Sequence, residues 1–205
     1  MNKKALILIF LFFLMGLVVY LTMPEQEENN DDIVFNINSF EECASAGYPV
    51  MESYPQKCKV PDGKTFTQYI GNELEKADLI RIDTPRPNQT ISSPVIVKGQ
   101  ARGFWFFEGD FPVVLVDWDG LIIAQGIAQA KDEWMTEGFV SFEAKLEFKN
   151  PTYKNNGTLI LQKDNPSGLP ENDDALEIPL FFGSIKNLIE NENNLNLIQG
   201  SWASI

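Results

Sequence analysis

Few side chains in this sequence can do chemistry, and their types decide much. Cys43 and Cys58 are the only two cysteines. A structural zinc site needs about four Cys or His ligands, which the chain cannot supply. Fifteen residues apart and without C-x-x-C spacing, the pair reads as a structural disulfide, with a redox-active pair as its rival. A lasting disulfide calls for an oxidising compartment. There is no histidine, so the commonest general base and every Ser-His-Asp or Cys-His arrangement are missing. No phosphate-binding glycine loop and no S-x-x-K motif occurs either. We expect no enzyme and no cofactor.

The remaining chemical candidates cluster around one aromatic stretch, Phe104, Trp105, Phe106, Phe107 and Phe111. Trp105, Phe107, Glu108 and Trp134 are the candidate partner-binding or glycan-binding residues, since aromatic rings offer large contact area at low entropic cost. The competing reading has the rings plugging the end of a core, because monomers seldom expose wide apolar patches. A glycosidase-like carboxylate pair leaves no local spacing signature, and Glu108 with Asp110 would be its first suspects. Residues 164–174 are rich in Asp, Asn and Glu. They match no calcium-loop spacing and read as successive turns, so no metal site is expected. Asn88-Gln89-Thr90 and Asn156-Gly157-Thr158 fit the N-glycosylation pattern.

The elements that must position these residues are mostly strands. Short apolar runs separated by turn residues predict strands at 79–83, 94–101, 112–118, 121–130, 139–148, 158–163 and 175–182. Val140, Phe142, Ala144, Leu146 and Phe148 alternate with polar residues, as do Leu176, Ile178, Leu180 and Phe182, so one face of each strand packs and the other meets water. Pro179 cannot donate to a ladder, which predicts an edge or bulged strand there. Asp119-Gly120 suggests a two-residue type I′ hairpin. The fold class is therefore all-β, an immunoglobulin-like β-sandwich of about seven strands.

Ahead of the sandwich the texture differs. Asn2, Lys3 and Lys4 precede an apolar run from Ala5 to Leu21, long enough as a helix to cross a bilayer. Lysines before the run and carboxylates after it place the amino terminus inside. Bulky Val18 to Leu21 do not suit a small-x-small cleavage site, so an uncleaved anchor is favoured over a signal peptide. The expected layout is a cytoplasmic stub at 1–4, a transmembrane anchor at 5–23, an acidic linker at 24–38, a cysteine-pair module at 39–72, the immunoglobulin-like domain at 78–183, and a polar tail at 184–205. In the module, Ser39 is a candidate cap for one helical turn stopped by Gly47, and Pro61-Asp62-Gly63 a turn between extended pieces. The net charge of −13 repels phosphate backbones, which argues against nucleic acid as a partner.

Several short motifs carry a resemblance: Ser92-Ser93-Pro94-Val95, Val97-Lys98-Gly99-Gln100-Ala101, Trp105-Phe106-Phe107-Glu108, Trp134-Met135 and Asn165-Pro166-Ser167-Gly168. In this order they resemble the bacterial spore-germination immunoglobulin-like domain family, from about Leu79 to Phe182. The segment around Cys43 and Cys58 is similar to a short cysteine-pair module of small bacterial envelope proteins. The resemblance implies an extracytoplasmic bacterial protein with a binding or scaffolding role, and the family has no assigned catalytic residues to carry over. The GerM-type domain often joined to it is missing here, and fold does not carry function with it. The expected function is thus a membrane-anchored envelope protein that docks a protein partner. Glycan binding through Trp105 and Phe107 is the first alternative and a carboxylate-dependent hydrolase the second.

Overall fold

A computed structural model describes residues 37–183. The expected stub, anchor and tail, and the linker through residue 36, lie outside the described residues. Among the described residues no helix is long and apolar enough to cross a membrane.

The cysteine-pair segment is a helix against a small sheet. Helix α1 (Phe40–Ser45) starts where the Ser39 hydroxyl accepts the Glu42 N–H, and it ends ahead of Gly47 at positive φ, as the cap and stop residues predict. Strands β1 (Val50–Met51), β2 (Lys57–Lys59) and β3 (Thr65–Thr67) form an antiparallel sheet. Its second turn is the predicted one: Gly63 donates to the Val60 carbonyl, and Asp62 accepts the Lys64 N–H. Cys43 on α1 and Cys58 on β2 are bonded, with Cα atoms 6.0 Å apart and both residues fully buried. The staple therefore joins helix to sheet where neither buries enough apolar surface to hold the other alone.

The remaining strands are β4 (Ile80–Thr84), β5 (Thr90–Ile91), β6 (Val95–Arg102), β7 (Asp110–Asp117), β8 (Ile122–Ala130), β9 (Phe139–Leu146), β10 (Asn156–Gln162) and β11 (Ala175–Phe182). Hydrogen bonds run in the order β4-β6-β9-β8-β7-β10-β11-β5. β8 pairs with β7 along most of its length but with β9 only at Gln129 and Ala130. It thus switches between the two layers of an immunoglobulin-like sandwich. The inward residues Val97, Phe111, Val113, Leu115, Phe142, Leu146, Leu159, Leu161, Ile178 and Leu180 fill one core. The alternation expected of β9 and β11 is the observed burial pattern.

The prediction for Pro179 holds. β11 has β10 on one side for its whole length, but β5 covers only Phe181 and Phe182 on the other. Pro179 sits on the uncovered stretch, where its missing N–H costs no ladder bond. Side chains and loops cap that edge instead: Asn72 accepts the Glu177 N–H and donates to the Ala175 carbonyl, and the Asn88 N–H reaches the Pro179 carbonyl. β5 is too short to show in the sequence pattern and was not expected.

The hairpin expectation needs correction. Between β7 and β8 only Gly120 has positive φ, and the loop is three residues closed by Asp117 N–H to the Leu121 carbonyl. The Asp117 carboxylate accepts the N–H groups of Asp119 and Leu121, which favours a three-residue loop ending in a left-handed glycine. The reciprocal two-residue turn occurs elsewhere. Phe107 and Asp110 exchange both backbone hydrogen bonds across Glu108 and Gly109, and both of these residues have positive φ.

A buried carboxylate links the cysteine-pair segment to the sandwich. Helix α2 (Glu73–Lys76) carries Glu73, only 7% exposed. The Tyr54 hydroxyl donates to it, and Arg86 pairs with it at 2.6 Å. Burial pushes the Glu73 carboxyl above the usual carboxylate range, against the pull of Arg86. Tyr54 lies inside the loop that the disulfide closes, so the staple also holds the residue that reaches the sandwich.

Candidate binding surface

The sequence-predicted residues gather at one end of the sandwich. Gly103 opens a 3-10 turn, Gly103–Trp105, and packs so closely on the backbone of Trp134 and Thr136 that a side chain there would overlap it. That contact brings the 134–136 loop beside the aromatic stretch. Trp105 then points inward and is 0% exposed, within the core cluster. Its candidate role in surface binding is corrected by this burial: the ring has no open face on which to stack a sugar. Its indole Nε1 has no hydrogen-bond partner among the described residues. Phe106 and Phe111 are buried beside it at a ring spacing of 5.2 Å.

Phe107 and Phe104 remain exposed, and Trp134 is half-buried against Gly109. Glu108 is exposed on the tight turn. Asp110 follows it, and Asp164 is tied to this end by its N–H to the Trp105 carbonyl at 3.0 Å. Partial burial and the nearby charges of Asp110 and Glu108 push the Asp164 carboxyl up. Among the described residues none of these three carboxylates has an ion-pair partner.

The 164–174 loop spends its polar groups on itself. Asn165 donates to the Leu169 carbonyl and to Asp173, Asn172 donates to Ser167, and Asp174 pairs with Lys76 at 2.5 Å. Among the described residues no group of three Cys, Asp or Glu converges on one point that could hold a metal ion. A polar cleft of about 590 Å³ beside this loop is lined by Asn72, Lys76, Gln162, Lys163, Asp174 and Glu177, but the Asn72 amide is committed to β11.

At the opposite end the β7–β8 hairpin presents Trp118, whose ring lies 5.3 Å from Tyr153 and 4.3 Å from the Lys154 ammonium. Leu121 and Tyr153 are exposed around it.

Between the ends lies a surface that the sequence reading missed. Paired residues in a ladder share a face. On the outer face of β8-β7-β10-β11, Ile122 pairs with Val116, Val116 with Thr158, and Thr158 with Pro179. The next row is Gln125, Val114, Ile160 and Glu177, and beyond it Ile127 pairs with Pro112 and Gln162 with Ala175. Glu177, at the β11 rim, is the only charge in these rows, and the next pair, Asp110 with Gln129, brings a second carboxylate in at the other margin. Ile122 and Ile127 are 52% and 50% exposed, and Val114 is covered by its neighbours outside the core cluster. A signal was present: Phe111 to Val116 are apolar at every position, where β9 alternates, and a strand apolar on both faces belongs in a sheet covered on both.

The outer face of β4-β6-β9 is the opposite in kind. Lys98 and Lys131 both pair with Glu143, whose carboxyl they hold below its usual range, and Arg81 and Arg102 each lie 4.2 Å from the Phe139 ring. That face is built for water, and the apolar rows of Ile122, Val114 and Ile127 are not.

Comparison with known proteins bears out the resemblance read from the motifs. Residues 79–168 match the family Gmad2, the immunoglobulin-like domain of bacterial spore germination. The match ends at Gly168, ahead of β11, which completes the sandwich here. Searches of curated proteins and of solved structures returned no significant match.

Proposed function

With residues 79–168 taken as a domain of that family, we propose that this protein is a membrane-anchored, extracytoplasmic binding protein whose sandwich docks a protein partner at the bacterial envelope. The observation that carries the reading is the outer face of β8-β7-β10-β11, apolar across Ile122, Val116, Val114, Ile160 and Ile127 with carboxylates only at its margins, on a chain of net charge −13. Apolar residues half-exposed in adjacent ladder rows gain free energy when a partner removes them from water, at about 25 cal/mol per Å². An immunoglobulin-like domain is a scaffold for such contacts, and its family carries no catalytic set to transfer.

The anchor rests on Lys3, Lys4 and the apolar run Ala5 to Leu21. The Cys43–Cys58 bond suits an oxidising compartment, which agrees with a domain on the outer side. Of the two rings that the glycan alternative used, Trp105 is in the core and Phe107 alone is exposed, which supports a protein surface as the ligand.

Two measurements on the full chain in cells test the reading. A carboxy-terminal alkaline phosphatase fusion is expected to be active, since that enzyme matures only outside the cytoplasm; activity confined to a cytosolic reporter refutes the topology. A photo-crosslinking residue at Ile127 is expected to capture protein, and a substituted Lys98 on the charged face is not. Equal capture from both positions removes the case for the β8-β7-β10-β11 face.

A further inference from the structure

We propose that the segment following Gly183 closes the second end of the sandwich core, with Ile185, Leu188 and Ile189 seated in a cavity between the start of β8 and the end of β9. The proposal is independent of the docking reading above, which concerns the outer sheet face.

The two ends of the core are sealed unequally. At one, Trp105, Phe106 and Phe111 are buried and Trp134 packs against the same cluster. At the other, β8 and β9 have parted, since their ladder holds only at Gln129 and Ala130. There a cavity of about 510 Å³ is lined by Ser93, Ile123, Glu147, Phe148 and Lys149. Ile123 and Phe148 pack against the core, yet both stay partly exposed. Apolar side chains that touch core and water together gain free energy from a further apolar cover.

The chain delivers such a cover to this place. The Gly183 carbonyl accepts hydrogen bonds from the Ser92 hydroxyl at 3.0 Å and the Asn150 amide at 3.1 Å. These two residues adjoin Ser93 and Lys149 of the cavity. Phe182, one residue earlier, has its ring 5.6 Å from that of Phe148. Ile185 is two positions beyond Gly183, a reach of at most about 7 Å. Ile185, Leu188 and Ile189 have the spacing of one face of a helical turn, and Lys186, Asn187 and Glu190 fall off that face.

The cavity is divided in the same way. Its charged residues are exposed at the rim, where Glu147 pairs with Lys145 at 2.6 Å, and its half-buried residues are apolar or hydroxylic. A separate protein must find this mouth by diffusion. The segment after Gly183 is tethered at it, which gives it a high effective concentration.

The test uses the full chain in non-ionic detergent, with a photo-crosslinking residue in place of the exposed Lys149. The expected link is within one chain, to residues 184–189, read by peptide mass spectrometry. Ile185→Asp with Leu188→Asp should cut its yield by about 10-fold, because charge is excluded from an apolar seat. The same pair should lower the melting temperature by about 4–8 °C, and removal of 184–205 should lower it as much. Lys186→Ala, off the apolar face, should leave yield and melting temperature near wild type. A link only to another copy or to a different protein, or no link to 184–189, overturns the proposal. So does a paired Asp variant that melts and crosslinks as wild type does. Capture at Ile127 is a separate readout, so the docking reading stands or falls on its own.

Discussion

Trp105 offers the sharpest test of the placement of the aromatic stretch. If the ring is core, Trp105→Ala removes a fully buried aromatic side chain, at a cost of about 3–5 kcal/mol. For a domain of about 100 residues that is a fall in melting temperature of more than about 12 °C, at about 4–8 °C per kcal/mol. Trp105→Phe is expected to behave differently. It loses two ring carbons, worth roughly 1.6 kcal/mol at about 0.8 kcal/mol each. It also removes an indole N–H that is buried without a partner among the described residues, a relief of about 1–3 kcal/mol. The two terms nearly cancel, so the Phe variant should melt within a few degrees of wild type. Thermal unfolding of the full chain by far-ultraviolet circular dichroism reads both. The reasoning is refuted if the Ala variant melts with wild type, or if Phe is as damaging as Ala.

Other expectations follow from single features. Replacing Cys43 and Cys58 by Ser opens a loop of sequence separation 15 and should cost about 3 kcal/mol by the chain-entropy relation, measured as a lower urea midpoint with an equal or steeper slope, because the freed unfolded chain exposes more surface. Because burial raises the Glu73 carboxyl, the folded state favours its protonated form; the stability so gained is full below the unfolded value near pH 4.3 and is lost as pH rises through the folded one. Glu73→Gln should therefore hold or raise the melting temperature at pH 7, with that advantage gone at pH 4; a variant that is worse at pH 7 and level at pH 4 would mean that Arg86 outweighs burial. Glu108 has φ 52°, a left-handed conformation that costs an ordinary side chain roughly 1 kcal/mol. Glu108→Asn should stabilise by about 0.5–1 kcal/mol in the same urea titration, and a loss of stability would contradict that account of the turn.

Much of the fold was legible because burial leaves a period in the sequence. β9 and β11 repeat apolar residues at every second position, and their burial follows that repeat. Pro179 announced an edge because a residue without an N–H has few other places in a sheet. Ser39, Gly47 and Gly63 marked local stops that depend only on neighbours in the chain. The candidate surface was less legible. Whether Trp105 or Phe107 faces solvent depends on the phase of the 3-10 turn at Gly103, set by the backbone of Trp134 and Thr136 some thirty residues away. The turn type at Asp119-Gly120 was misread because the Asp117 carboxylate, outside the pair, decides it.

Composition and local pattern alone determined a mostly β fold, a cysteine pair read as a staple, and the strands that alternate, since each follows from one segment's contact with water or with its near neighbours. Only the tertiary structure decided that Trp105 enters the core, that Glu73 is sealed between Tyr54 and Arg86, and that Ile122, Val114 and Ile160 lie in one continuous face with carboxylates only at its margins. Those outcomes depend on ladder register and on contacts between residues far apart in the chain, and a strand's own sequence carries no record of which strand it will pair with.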